Sequence, residues 1–169
     1  MKKLFSLALA LSIGAAVFAQ EKKDATLNIV PLPQQVQIKN GTFKINANTK
    51  IAFDSEEDKK VATLFQDFLK SNYSLNLSLV KSASSNTIYF SSKNAKSTNV
   101  EAYELNISSD RATISGKAAG LFYGMQSLIQ LLPVDKKASI EIQQASIQDE
   151  PRFAYRGLHL DVGRHFFPV

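Results

Sequence analysis

Much of this chain alternates hydrophobic with polar residues, a pattern that places successive side chains on opposite faces of an extended segment. Such alternation is typical of a half-buried β-strand. The run at 87–90 is more uniformly apolar, which indicates a more deeply buried strand. Strands are therefore expected near 36–38, 43–45, 51–53, 75–79, 87–90, 103–107, 112–114, 140–142 and 145–148.

The dipeptide Asn40-Gly41 lies between two of these alternating runs. Asn-Gly is favoured in two-residue type I′ turns, because both central positions of such a turn need a positive φ. The sequence therefore predicts that 36–38 and 43–45 pair with each other as a β-hairpin.

Two other segments carry hydrophobic residues at helical spacing. The first opens with acidic residues over 54–58, which suit the positive end of a helix, and ends near Ser71-Asn72. Its hydrophobic residues are expected to share one face, and they are Val61, Leu64, Phe65, Phe68 and Leu69.

The second predicted helix spans about Lys117 to Leu132 and stops before Pro133. Within it, Gly120 and Gly124 each cost up to ~1 kcal/mol relative to alanine. Their presence indicates either a close approach of the helix backbone to a sheet or simple tolerance of glycine. Because strands outnumber helices and several adjoin, we expect an α+β domain whose mainly antiparallel sheet carries both helices on one face.

The first residues have the pattern of a secretory signal peptide. Lys2 and Lys3 precede an apolar run over 4–17, and Ala19 ends a small-residue cleavage site. The run is too short to stay as a membrane span, and a retained anchor is the alternative interpretation. We therefore expect cleavage near Ala19, a secreted or periplasmic protein, no membrane span in the mature chain, and a flexible N-terminus over 20–28.

The composition excludes several kinds of site. None of the 169 residues is a cysteine, so the chain has no disulfide and no thiolate metal site. The net charge is +5, and the basic residues are scattered along the sequence. A nucleic-acid-binding surface concentrates its basic residues, so we expect no nucleic-acid partner.

Residues 149–168 read Asp-Glu-Pro-Arg-Phe-Ala-Tyr-Arg-Gly-Leu-His-Leu-Asp-Val-Gly-Arg-His-Phe-Phe-Pro. This stretch is similar to a junction in glycoside hydrolase family 20, where an Asp-x-Pro-Arg-Phe linker precedes an aromatic-Arg-Gly and a strand ending in Asp-Val-x-Arg-His-Phe. The segment Ile-Val-Pro-Leu-Pro-Gln at 29–34 and the helical sequence at 116–132 also resemble the family, in the same order. Gly163 stands where the family usually has serine or alanine.

The resemblance implies a β-N-acetylhexosaminidase in which an α+β domain precedes a (β/α)8 catalytic barrel. The expected parts are a signal peptide at 1–19, the flexible N-terminus at 20–28, the α+β domain at 29–150, and a linker with the first barrel strand at 151–169. The chain is then expected to be truncated one strand into an incomplete barrel.

The resemblance assigns substrate binding to Arg164, at the end of the first barrel strand. In the family, the matching arginine hydrogen-bonds O3 and O4 of the terminal N-acetylhexosamine. A guanidinium suits this contact, because its planar fork donates to two adjacent oxygens and stays charged at any working pH. Considered without the resemblance, Arg164 could instead be a solvated side chain paired with Asp161, and such exposed pairs contribute only about 0–1 kcal/mol.

Three further polar residues, His159, Asp161 and His165, lie in the same stretch. Their spacing matches no established set of metal ligands, so we expect neither a metal nor a cofactor. Asp161 and His165 are expected to support neighbouring side chains of the barrel.

The resemblance also implies retaining hydrolysis assisted by the 2-acetamido group of the substrate, with a glutamate as general acid and base and an aspartate that orients the acetamido group. In the family this pair lies in a His-x-Gly-Gly-Asp-Glu type motif, which these residues lack. Asp149-Glu150 has no flanking glycines and precedes Pro151, so we expect it to be solvated. The chain alone is therefore predicted to be inactive, because its glycan partners bind through the missing barrel. The alternative is a free-standing secreted carbohydrate-binding or adaptor module.

Overall fold

A computed structural model describes residues 27–82, 85–135, 139–160 and 163 of this protein. Those residues form seven strands and two helices, and no helix among them has the length and apolar character needed to cross a membrane. In chain order the elements are β1 (Gln35–Ile45), β2 (Lys50–Phe53), α1 (Glu56–Tyr73), β3 (Ser78–Val80), β4 (Thr87–Ser91), β5 (Tyr103–Ile107), β6 (Arg111–Gly116), α2 (Ala118–Gln130) and β7 (Ile140–Asp149). The predicted signal peptide lies outside the described residues.

The strands form one mixed sheet in the order β1-β7-β5-β6-β4-β2-β3. Pairing is antiparallel from β1 to β6 and parallel from β6 to β3. Parallel neighbours need a crossover connection, and α1 supplies it between β2 and β3. The α+β class and the two helices are confirmed, while half of the strand pairings are parallel, a larger share than the alternation pattern suggested. Alternation identifies a strand but does not identify its partner.

β1 is one continuous strand, so the predicted hairpin is wrong. Both alternating runs pair with β7, and the register of this pairing shifts between Ile38 and Thr42, the stretch that contains Asn40-Gly41. Gly41 has a φ of 102°, which a bulge accommodates as readily as a hairpin turn does. The dipeptide thus indicated a positive φ correctly at Gly41 and wrongly at Asn40, and the pairing was decided by the more distant β7.

α1 begins at a capping box. Ser55 Oγ accepts a hydrogen bond from the Asp58 N–H at 3.1 Å, and Asp58 Oδ2 accepts one from the Ser55 N–H at 3.2 Å. The inner face of the helix buries Val61 and Leu69, as predicted. Leu64, which was expected on the same face, is 51% exposed, because it lies on the flank of the buried arc.

α2 packs closely against the sheet at both of its glycines. A Cβ added at Gly120 would lie 2.0 Å from the carbonyl oxygen of Ala102, next to β5. A Cβ added at Gly124 would lie 2.6 Å from Ile114 Cγ2, on β6. Of the two interpretations of these glycines, close approach is therefore the one that the structure supports.

One hydrophobic core fills the space between the helices and the sheet. Phe65 of α1, Phe90 of β4 and Leu121 of α2 are completely buried in it. The hydroxyls of Tyr103 and Ser127 pair at 2.6 Å between β5 and α2, and burial raises the pKa of Tyr103 to about 12. Among the described residues, no buried side-chain nitrogen or oxygen lacks a hydrogen-bond partner.

Candidate functional site

The linker that follows β7 is held against the domain at its first residues. The Gln34 N–H donates to Asp149 Oδ1 at 3.1 Å, and Gln34 Nε2 donates to the Glu150 carbonyl at 2.7 Å. Asn99 Nδ2 donates to Glu150 Oε2 at 3.4 Å. Glu150 is exposed, as expected, whereas Asp149 is partly buried and fixes the segment at 27–34. The Asp149-Glu150 pair is therefore only in part the solvated pair that the sequence predicted.

The segment at 27–34 is in turn fixed to the end of α2. The Val30 N–H donates to Gln130 Oε1 at 2.8 Å, and Gln130 Nε2 donates to the Val30 carbonyl at 3.2 Å. This reciprocal pair satisfies both backbone groups of Val30, in the manner of two neighbouring strands. The start of the domain, its last helix and its linker thus meet along one side.

A groove of about 590 Å³ lies between these three parts. Its walls are apolar at Ile29, Leu32 and Tyr123 and charged at Glu101 and Arg156. The volume falls within the range of small-molecule clefts.

Three side chains meet at the rim of this groove, and we refer to Glu101, Tyr123 and Arg156 as the Glu101 cluster. Arg156 Nη2 donates to Glu101 Oε1 at 2.5 Å, and Nη1 lies 3.4 Å from Oε2. The Tyr123 hydroxyl donates to Glu101 Oε1 at 3.0 Å. The hydrogen bond from Arg156 lowers the pKa of Glu101, so that its carboxylate stays ionised and paired instead of acting as a free base.

Sequence reasoning assigned no function to the Glu101 cluster. Arg156 belongs to the aromatic-Arg-Gly motif, but its partner Glu101 lies 55 residues earlier. Nothing in the local pattern around Glu101 marks it out, since its role depends on the tertiary packing of the linker.

A second polar cluster lies where the parallel strands β2 and β4 end. Asp54 accepts hydrogen bonds from the hydroxyls of Tyr89 and Ser91, both at 2.6 Å. Burial acts to raise the pKa of Asp54, but the hydrogen bonds from Ser91 and Tyr89 outweigh it, and the pKa lies below its ordinary value. Each carboxylate oxygen has a hydroxyl partner, so the cluster fixes the loop before α1 and offers no open base.

The residues predicted for the substrate site lie outside the described part of the chain. Arg164 is among them, as are Asp161 and His165. His159 is described and exposed. Within the described ranges, no group of three histidine, cysteine, aspartate or glutamate side chains is arranged to hold a metal ion.

Comparison with known proteins gives consistent matches. A family model described as "Glycosyl hydrolase family 20, domain 2" matches residues 26–150. A beta-hexosaminidase of Porphyromonas gingivalis is 38% identical over 155 residues, which cover 86% of this chain and 20% of that protein. A beta-hexosaminidase of Vibrio vulnificus is 32% identical over 140 residues, covering 82% of this chain and 15% of that protein.

A solved structure matches in fold as well as in sequence. The GH20 beta-N-acetylhexosaminidase from Streptomyces coelicolor A3(2) superposes with a TM-score of 0.72 and 32% sequence identity. The match covers 85% of this chain and 30% of that one. The chain thus spans a fifth or less of the two curated relatives and under a third of the solved structure.

Proposed function

Because this chain belongs to glycosyl hydrolase family 20, we propose that it is the N-terminal part of a β-N-acetylhexosaminidase. The proposed substrates are glycans with a terminal N-acetylhexosamine at the non-reducing end. One observation carries the proposal: the domain match over 26–150 is followed directly by the Pro-Arg-Phe linker and the aromatic-Arg-Gly motif. The relatives named beta-hexosaminidase support the same substrate class.

The proposed chemistry is retaining hydrolysis assisted by the substrate. The 2-acetamido oxygen would attack the anomeric carbon while a glutamate protonates the leaving oxygen, and water would then open the cyclic intermediate with the same glutamate as base. This chain would contribute Arg164, whose guanidinium would hold O3 and O4 of the sugar. The acid and its aspartate partner would come from sequence outside these residues, so the chain alone would be inactive.

We propose further that the protein is exported. The positive residues Lys2 and Lys3, the apolar run and the small residue Ala19 support a cleaved leader. Export would place the enzyme where extracellular or periplasmic glycans are available. Mass spectrometry of the protein recovered from a cell fraction outside the cytoplasm would test this, with a new N-terminus near residue 20 as the expected result.

Activity is best tested in a chimera. Residues 20–169 would be joined to the part of the Porphyromonas gingivalis relative that follows its aligned region, and the unextended chain would be assayed beside it. We expect the chimera to hydrolyse a chromogenic N-acetylglucosaminide and the unextended chain to stay at the buffer blank, because only the chimera carries an acid–base pair.

Two results would contradict this proposal. A chimera that melts cooperatively but has no activity would show that this domain does not serve such a barrel. Turnover by the unextended chain that survives repurification would place the chemistry in the described domain. Binding of the unextended chain to an immobilised glycan, with an inactive chimera, would favour a carbohydrate-binding module.

A further inference from the structure

The Glu101 cluster joins three separate parts of the chain. Glu101 precedes β5, Tyr123 lies in α2, and Arg156 lies in the linker. Two of these parts are rigid with respect to each other, because the Gly120 N–H donates to the Val100 carbonyl at 3.0 Å. Glu101 and Tyr123 therefore form a fixed acceptor site on the domain, and Arg156 is the linker residue that occupies it.

The acceptor site is held in place by contacts within the α+β domain. The Glu101 N–H donates to Asn99 Oδ1 at 3.0 Å, which fixes the backbone that carries the carboxylate. The Tyr123 hydroxyl orients Oε1 at 3.0 Å. Because neither of these two contacts involves Arg156, they constrain the carboxylate independently of it, and less side-chain freedom is lost when Arg156 binds.

The linker is also held in a defined conformation by Arg156. Arg156 Nη1 also donates to the Phe153 carbonyl at 2.7 Å, so the guanidinium closes a turn of the linker while it binds Glu101. An arginine can do both at once because its planar fork carries five N–H donors. A lysine in its place would offer a single charged centre and could not span the carboxylate and the carbonyl with the same geometry.

We propose that the Glu101 cluster is a positioning device that fixes the path by which the chain leaves the α+β domain. Arg164 lies eight positions after Arg156 in the sequence, a span of up to about 26 Å at about 3.3 Å per residue. Because Arg156 is fixed on the domain, the segment that leads to Arg164 starts from a defined position. That consequence for substrate binding rests on the proposed function, whereas the fixing of the linker does not.

Both charged members are partly exposed, with 26% of the Glu101 side chain and 43% of the Arg156 side chain accessible to solvent. Exposed ion pairs contribute little to the free energy of unfolding. Loss of the pair should therefore leave the melting temperature of the domain nearly unchanged. The orientation of the linker should change, because Arg156 no longer binds Glu101. If the ion pair does not position the linker, removal of either partner will leave this orientation unchanged.

The absence of cysteine makes this directly measurable, because two introduced cysteines can be spin-labelled without interference. One label is placed at Asp67→Cys, on the exposed side of α1, and the other at Ala154→Cys, within the docked linker. Pulsed electron paramagnetic resonance then gives the distribution of distances between the two labels in the full chain. We expect a single narrow distribution.

The test variants are Glu101→Gln and Arg156→Ala, and the control is Glu104→Gln. The control breaks the nearby ion pair of Lys96 and Glu104, whose charged atoms lie 2.8 Å apart and which is not part of the Glu101 cluster. Released from the cluster, the four residues after Glu150 would spread over about 11 Å, at 5–6 Å × √n for a flexible chain. Both test variants should broaden the distribution on that scale, and the control should leave it narrow.

Arg156→Lys keeps the charge but cannot span the Glu101 carboxylate and the Phe153 carbonyl, so its distribution should also be broader than that of the unsubstituted chain. Narrow distributions in both test variants, with melting temperatures equal to that of the unsubstituted chain, would overturn the proposal. The readout needs no glycosidase activity. An inactive chimera with broadened single variants would therefore refute the proposed function and leave the positioning role standing.

Discussion

Replacement of Gly120 by alanine tests the close packing of α2 most sharply. The added Cβ would lie 2.0 Å from the Ala102 carbonyl oxygen and 2.9 Å from its carbon, and both atoms belong to the backbone. A backbone carbonyl that packs against a helix cannot rotate away as a side chain can. The helix or the segment before β5 must therefore shift.

The expected loss in the free energy of unfolding is the sum of two opposed contributions. Overpacking of this kind costs about 1–3 kcal/mol, with this backbone clash at the upper end. Alanine returns up to ~1 kcal/mol through its better helix propensity. The net loss is about 2 kcal/mol, which lowers Tm by ~8 °C at ~4 °C per kcal/mol for a domain of this size.

The assay is thermal and urea unfolding of the full chain followed by far-ultraviolet circular dichroism. Gly124→Ala is the internal comparison, because its closest neighbour is the Ile114 side chain at 2.6 Å, which can move. Gln126→Ala, at an exposed position of α2, is the neutral control and should stay within about 0.5 kcal/mol. A Gly120→Ala chain as stable as the unsubstituted one, or more stable, would refute the reasoning.

Three further outcomes are expected. In the active chimera, Arg164→Ala should lower kcat/KM by about two to four orders of magnitude, because each lost charge-assisted hydrogen bond is worth ~1.5–3 kcal/mol, and Arg164→Lys should also be impaired; near-normal kcat/KM in Arg164→Ala would remove its substrate role. Phe90→Ala, at a completely buried position, should cost about 3–5 kcal/mol in urea unfolding, and a loss below ~1 kcal/mol would contradict the core assignment. The pKa of Asp54 is held below its ordinary 3.8, so its contribution to stability is present above that pH and is lost as the pH falls through the lower, folded value. In Asp54→Asn, the free energy of unfolding should therefore fall less steeply as the pH is lowered through the acidic range. An unchanged pH dependence would contradict this.

The local elements of this fold were largely predictable. The acidic start of α1 and the spacing of Val61, Phe65 and Leu69 predicted a helix over the correct stretch, because burial of one face leaves a periodic record in the sequence. The strands were located for the same reason, although 140–142 and 145–148 form the single strand β7, and the strand predicted at 75–79 is observed only at Ser78–Val80. Leu64 was misplaced, since periodicity defines the centre of a buried face better than its flanks.

Pairings between distant segments were not predictable in the same way. Asn40-Gly41 satisfied the rule for a hairpin, yet β7, a hundred residues later, provided the actual partner. Glu101 and Arg156 meet only because the linker lies beside α2. Contacts of this kind depend on tertiary packing, which leaves no local signal in a single sequence.

The resemblance at the end of the chain supplied what local patterns could not. It pointed to the family that the domain match over 26–150 shows, and it placed Arg164 as the expected substrate contact. The charge and shape of an arginine alone would have left a solvated side chain equally acceptable at that position. The prediction of the family therefore depended on a motif, whereas the prediction of the fold depended on patterns of burial.

The most direct test of the central claim is the DNA sequence that follows codon 169 in the source genome. A hexosaminidase of this family needs an acid–base pair that these residues lack. We predict that reading on, in this frame or a shifted one, gives a His-x-Gly-Gly-Asp-Glu type motif within a barrel-length stretch. A stop codon followed by unrelated sequence, reproduced in independent clones, would contradict the account.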